Sequence, residues 1–372
     1  MTTDVLDNRS LNRALLARQW LLARRPATAG AAVEHLVGMQ AQNPLDPYPA
    51  LWSRLDGFDP GEVGRALEDR TMVRILVMRG TIHLVTADDA LRLRPLTQAA
   101  LDKELLTHSE HGAFLRTIDT AATAAEARPL LAEPRSGTQL KALLAERFPG
   151  RPPGALAFLC RNLLPLAQPP PRGVWGRKGQ VTQVDVERWL GRPLEAAPSV
   201  EDVVLRYLAA FGPATAADVS AWSGLPGMRA VLDRLGPRLR TFADERGRAL
   251  VDLPDAPRPG PDTPAPVRFL PEYDNVLLSH ADRARVVPPE RRGALGHVMG
   301  HRGSFLLDGF VAGAWSATTD ARAGRTTVEV LPLVPLAGDD EEAVGAEAAA
   351  LAGFLAPGFR ADVVVRDPLP PT

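Results

Sequence analysis

Two glutamines two residues apart, Gln40 and Gln42, stand in the stretch Val37-Gly38-Met39-Gln40-Ala41-Gln42-Asn43-Pro44. A carboxamide has no useful basicity and cannot act as a general base. It can hold a water, donate an N–H, and turn a carbonyl dipole toward a developing cation. Such a pair therefore suits a hydrolysis whose leaving group already departs readily. Apolar spacing over residues 31–40 reads as a helix that ends at Gln40, with the breakers Asn43 and Pro44 following. Neighbours at i and i+2 do not share a helix face, but at a helix end Gln42 is in loop geometry and both amides reach one cavity. The plainer reading is two polar residues finishing a helix.

The elements around the pair come in cycles. Residues 10–24 read as a first helix with Ser10 as N-cap, and residues 48–55 and 60–70 as two more. Two β-type runs, residues 73–78 and 81–85, meet at Arg79-Gly80 and form a wing that carries Arg79 and His83. These two are read as a phosphate clamp beside the glutamines or as a structural hydrogen-bonded pair. A second cycle opens at Ser136 and reaches a Pro- and Gly-rich loop, residues 168–179, holding Arg172, Arg177 and Lys178 around Trp175. Its composition suits backbone approach to phosphates; the alternative is a solvated loop with Trp175 packed back on the core. The third cycle is the clearest: helix 203–211, a helix capped by Thr215 over 216–222, a turn at 224–227, a helix over 228–235, and strands near 239–242 and 249–252. The chain thus divides into winged helices at 1–97, 98–198 and 199–253, a Pro-rich linker at 254–266, and a β-rich part at 267–372. In that last part, runs at 267–270, 276–278, 303–307, 310–314, 326–333 and 361–365 read as strands and 340–355 as a helix, a small barrel or curled sheet. The fold class is α+β: three tandem winged-helix motifs braced by a C-terminal β-barrel-like domain.

The net charge of −1 hides an asymmetry. Residues 135–240 carry 15 Lys+Arg against 8 Asp+Glu, and residues 241–372 carry 13 against 19. A polyanion-facing module on an acidic scaffold has this pattern, and so does a surface on which arginine is simply abundant. One cysteine, Cys160, excludes an internal disulfide framework and fits a reducing cytoplasm. No apolar window is long enough to cross a membrane. His297 and His301 have the spacing of a zinc pair, but there is no intervening Glu, and Gly296, Gly300 and Gly303 argue against a helix there; no metal or cofactor is expected.

Three groups, Leu11-Asn12-Arg13-Ala14-Leu15-Leu16-Ala17-Arg18-Gln19, Gly38-Met39-Gln40-Ala41-Gln42, and Met78-Arg79-Gly80-Thr81-Ile82-His83-Leu84-Val85, resemble the tandem winged-helix DNA glycosylases of the AlkZ/YcaQ type. Residues 269–275 and 308–315 extend the likeness over nearly the whole chain. The resemblance implies a DNA-repair enzyme that hydrolyses N-glycosidic bonds of N7-alkylated purines and unhooks interstrand crosslinks. It places the chain in the Gln-apolar-Gln branch, with Gln42 positioning water and Gln40 helping to hold water and sugar. It also implies a C-terminal-side hairpin that probes the duplex, here read as a basic tip with His301 and Arg302. An N7-alkylated base fits an amide pair, because the cationic base draws electrons from the glycosidic bond and leaves neutral. With only Lys103, Lys141 and Lys178 in the chain and none near the pair, a Schiff-base route is not expected, so the enzyme is monofunctional. The expected partner is double-stranded DNA with alkylated purines or crosslinks, met by a monomer in the cytoplasm at the nucleoid. A winged-helix transcription regulator and a non-catalytic binder of damaged DNA are the alternatives.

Overall fold

A computed structural model of the chain describes residues 4–298, 301–336 and 338–368, with the backbone alone for 297 and 298. It is built from many short helices and three sheets, an α+β fold. Each of the three cycles ends in antiparallel strands. In the first, helices Asn8–Arg18, Ala29–His35, Pro47–Trp52 and Gly61–Glu68 precede strands Met72–Leu76 and Ile82–Thr86. In the second, helices Gly137–Arg147 and Pro153–Leu163 precede strands Leu166–Ala167 and Thr182–Asp185. In the third, Val200–Phe211, Ala216–Ser223 and Met228–Leu235 precede Arg240–Asp244 and Ala249–Asp252.

The first two wings are not separate. Ile75 pairs with Ala167, so both lie in one six-stranded sheet. The third wing is extended by Val5–Leu6, parallel to Arg240–Asp244. A single apolar core runs from Leu15 and Val37 through Val73, Ile75 and Val85 to Tyr207, Phe211, Trp222 and Val311, joining all three units and the C-terminal part. Burial of that much apolar side chain fixes the units against one another. Arginines cross the same junctions: Arg18 makes a bidentate pair with Asp252, and Arg54 with Asp274, all four side chains fully buried. A guanidinium fork facing a carboxylate is one of the few ways to bury such charges.

The first helix is capped by Asp7, which accepts from Ser10 N, rather than by Ser10, and it stops at Arg18 because Trp20 takes a left-handed φ of 56°. The C-terminal strands form an open five-stranded sheet from Arg268–Leu270 to Arg360–Val365 rather than a closed barrel, with helix Asp339–Leu355 crossing between two parallel strands. The run Val276-Leu277-Leu278 is helical instead of extended, since the Asp274 side chain caps Val276 N at 3.0 Å. A helix also spans Arg292–Val298 despite Gly296. Among the described residues, no helix is long and apolar enough to cross a membrane.

Candidate active site

Gln40 lies on a short strand and Gln42 in the bend just beyond it, rather than at a helix end. The preceding helix finishes at His35, and the chain then turns through Val37 (φ 54°) and Gly38 (φ 93°) into strand Met39–Gln40. Gly38 is required there: a Cβ would lie 2.6 Å from Val85 Cγ1 in a conformation that L residues rarely adopt. Asn275 Nδ2 donates to Gly38 O at 2.9 Å and holds the turn. Gln40 then pairs with His83, and Ala41 N–H donates to Ile82 O at 2.8 Å. Gln42 lies in the bend that follows, and both amide oxygens accept from the segment 79–82, so it is the neighbouring wing that places them side by side. Between them Ala41 points into the core, fully buried.

Gln40 is 7% exposed and its orientation is fixed by its neighbours. Arg79 Nη2 can only donate and stands 2.8 Å from Gln40 Oε1, with Thr81 Oγ1 at 3.4 Å. Gln42 is exposed and accepts a long bond of 3.4 Å from Ile82 N on Oε1. Each amide thus has its carbonyl end engaged, which leaves Nε2–H as the group each can still donate. No carboxylate bonds to either amide among the described residues.

Arg79 adopts φ 56° and is clamped between units. Its Nη1 donates to Trp222 O at 2.5 Å, and a Cβ on Gly224 would lie 3.2 Å from its backbone N. The first wing therefore touches the turn of the third unit's helix-turn-helix. Burial lowers Arg79 to about 10, and among the described residues it makes no ion pair, so it stays cationic at neutral pH without a counter-charge. His83 is 2% exposed. Its Nδ1 donates to Thr81 O at 3.0 Å, which leaves Nε2 as the acceptor facing Arg79 Nη2 at 3.4 Å. Burial first, and Arg79 second, push its pKa down to about 3, so the ring is neutral. Of the two readings of this pair, the geometry is that of hydrogen-bonded positioning; His83 offers DNA no surface.

Arg74 escaped the reading of the sequence. It is 2% exposed and donates to Ala41 O at 3.0 Å, holding the backbone between the glutamines. The loop of the second unit packs on it, since a Cβ at Gly173 would lie 2.8 Å from Arg74 Cδ. The signal was a charged residue inside the apolar run Val73-Arg74-Ile75-Leu76. In that loop Trp175 is packed back, 4.8 Å from Tyr48 and 5.3 Å from Phe354 between ring centroids. Arg172 is half-buried with Nη1 3.4 Å from Gly179 O, Arg177 is exposed and pairs with Glu68, and Lys178 is exposed.

His301 and Arg302 are not at a hairpin tip. They form the turn that leads into strand Gly303–Leu307, where His301 is exposed, has φ 63°, and lies 3.7 Å from Glu272. The tip of that hairpin, Asp308-Gly309, is docked on the first helix, with Asp308 paired to Arg9 and Arg13. The His297 side chain lies outside the described residues.

Residues 33–354 match the family model described as DNA glycosylase AlkZ-like. The chain belongs to the AlkZ-like DNA glycosylase family. The interstrand DNA cross-link repair glycosylase of Streptomyces sahachiroi is 27% identical over 340 residues, covering 81% of this chain and 85% of that protein. The solved structure of the Streptomyces sahachiroi DNA glycosylase AlkZ superposes with a TM-score of 0.76 at 21% identity, covering 97% of this chain and all of that one. The match shows that the two share a fold.

Proposed function

We propose that this glycosylase hydrolyses the N-glycosidic bond of N7-alkylated purines in duplex DNA, including purines held in interstrand crosslinks, with Gln42 positioning water and Gln40 holding water and sugar. The observation that carries the reading is the amide pair itself: two carboxamides whose oxygens both accept from the segment 79–82, with no carboxylate bonded to either among the described residues. Without a general base, rate must come from a leaving group that departs as a neutral molecule and from preorganised dipoles. As the C1′–N9 bond breaks, its electron pair neutralises the cationic base, the sugar becomes an oxocarbenium ion, and water adds at C1′ and gives up its proton to solvent. Arg79 acts through Gln40, since its charge on Oε1 polarises the amide and strengthens Nε2–H as a donor.

The relative named for interstrand cross-link repair supports crosslinked duplexes as substrates. Lys178, Arg172 and Arg177 on the second unit's loop, and His301 and Arg302 before the C-terminal hairpin, are proposed to meet the backbone. Three dissimilar winged units fused through one core favour a monomer working along the nucleoid. The test is a duplex with a defined N7–N7 guanine crosslink, followed by denaturing electrophoresis. Unhooking into single strands is expected; a crosslink left intact while an N7-methylguanine duplex is processed would confine the enzyme to monoadducts.

A further inference from the structure

One residue beyond Gln42 the surface opens into a cleft of about 530 Å³. Asn43 and Asp46 line it from the motif side, Trp175 from the second unit's loop, and Glu272, His301 and Trp315 from the C-terminal part. Two carboxyl groups, Asp46 and Glu272, stand in it, with His301 3.7 Å from Glu272.

Asp46 is the feature that calls for a ligand. It is 7% exposed, and its Oδ2 has no hydrogen-bond partner among the described residues. It precedes helix Pro47–Trp52 but makes no side-chain cap bond. It takes part in no ion pair among the described residues, in contrast to nearby Asp274, which is matched by Arg54. A buried carboxyl with an unmet oxygen is costly and is explained by a donor that arrives from outside. The indoles of Trp175 and Trp315 are on the wall of the same cleft, and indoles attract flat cations.

We propose that this cleft is a binding site for a flat organic cation, with Asp46 and Glu272 as counter-charges and Trp175 and Trp315 as stacking walls. The proposal rests on the excision reading above and deepens it. An N7-alkylpurine is a flat cation only while joined to its sugar; the released base is neutral and loses the attraction, so the site favours substrate over product. The same chemistry fits the cationic arm of a bulky alkylating agent.

The test uses the full chain without DNA. Calorimetric titration compares benzamidinium with its neutral isostere benzamide, on the wild type and on Asp46→Asn and Glu272→Gln, with folding of each variant checked by thermal unfolding. Benzamidinium is expected to bind at least about 10-fold more tightly than benzamide, and each variant to lose about 10-fold or more for the cation alone. Equal binding of the two isosteres, or no loss in either folded variant, would overturn the proposal. Preference for 7-methylguanosine over guanosine would assign the site to the base; tight binding of benzamidinium without that preference would assign it to the adduct arm. The titration reads no turnover, so a wild type that excises but shows no preference for the cation refutes only the cleft, and one that binds the cation but does not excise refutes only the enzyme reading.

Discussion

Arg79→Met separates positioning from phosphate binding. The guanidinium makes bonds of 2.8 Å to Gln40 and 2.5 Å to Trp222, with His83 Nε2 at 3.4 Å, and among the described residues no ion pair offsets its burial. The fall from 12.5 to about 10 corresponds to a cost on the order of 3 kcal/mol for keeping the charge there. A base with a depressed pKa bears that cost at every pH below its folded value, so it applies in full at neutrality. Methionine removes the cost and also two hydrogen bonds from a charged donor, each worth roughly 1.5–3 kcal/mol, so the net loss of stability should be no more than about 3 kcal/mol. The chemical step should not be spared, because Gln40 loses both its tether and its polarising charge. A loss of about 1.4–3 kcal/mol in the transition state is about 10- to 100-fold in rate. Single-turnover excision from an N7-methylguanine duplex under saturating enzyme, with DNA affinity measured in parallel, reads this directly. Arg79→Lys should rescue little, since one ammonium cannot serve both Gln40 and Trp222 with the geometry of a fork. Full rescue by Lys, or a drop in DNA affinity that accounts for the whole loss, would refute positioning and restore a phosphate contact.

Asp46 is raised to about 7 by burial and then by Glu272 and Asp274, with Tyr273 also facing it. Its folded pKa lies above the unfolded one, so the associated stability is complete below about pH 4 and lost as pH rises through about 7. Asp46→Asn should flatten that fall, by up to about 4 kcal/mol at alkaline pH, in melting curves taken across it; an unchanged slope would show the carboxyl to be ordinary. Gly38→Ala forces a side chain into a left-handed turn against Val85, and should cost about 1–3 kcal/mol in denaturant titration along with excision. Neutralising Arg177 and Lys178 together should weaken DNA binding and reduce the slope of log affinity against log salt by up to about 2; an identical slope would remove the loop from the interface.

The third winged unit was legible almost to the residue because its signals are local. Thr215 and Asp218 form a reciprocal capping box, and Gly224 and Gly227 supply the left-handed turn residues. The glutamine motif was legible as chemistry but not as structure. Its strand is only two residues long and exists because Ile82–Thr86, some forty residues on, offers it an edge. Non-local pairing leaves no periodicity in so short a segment. Val276-Leu277-Leu278 reads as a strand by composition, and a single cap overrides it. The arginines misled most. Reading them as surface charge hid the fully buried Arg13, Arg18, Arg54, Arg74 and Arg94, whose partners are carbonyls and carboxylates from distant elements. Many of the basic residues that make the middle of the chain cationic are likewise engaged, as in Arg206 with Asp89 and Arg234 with Glu201.

The central claim is that Gln40 and Gln42 perform the excision. Its most direct measurement is single-turnover hydrolysis of a duplex carrying one N7-methylguanine, with alkaline scission of the abasic product, for the wild type and for Gln40→Ala/Gln42→Ala. Scission by the wild type and none by a folded double variant that still binds DNA is the predicted result. Equal scission by both would place the chemistry elsewhere.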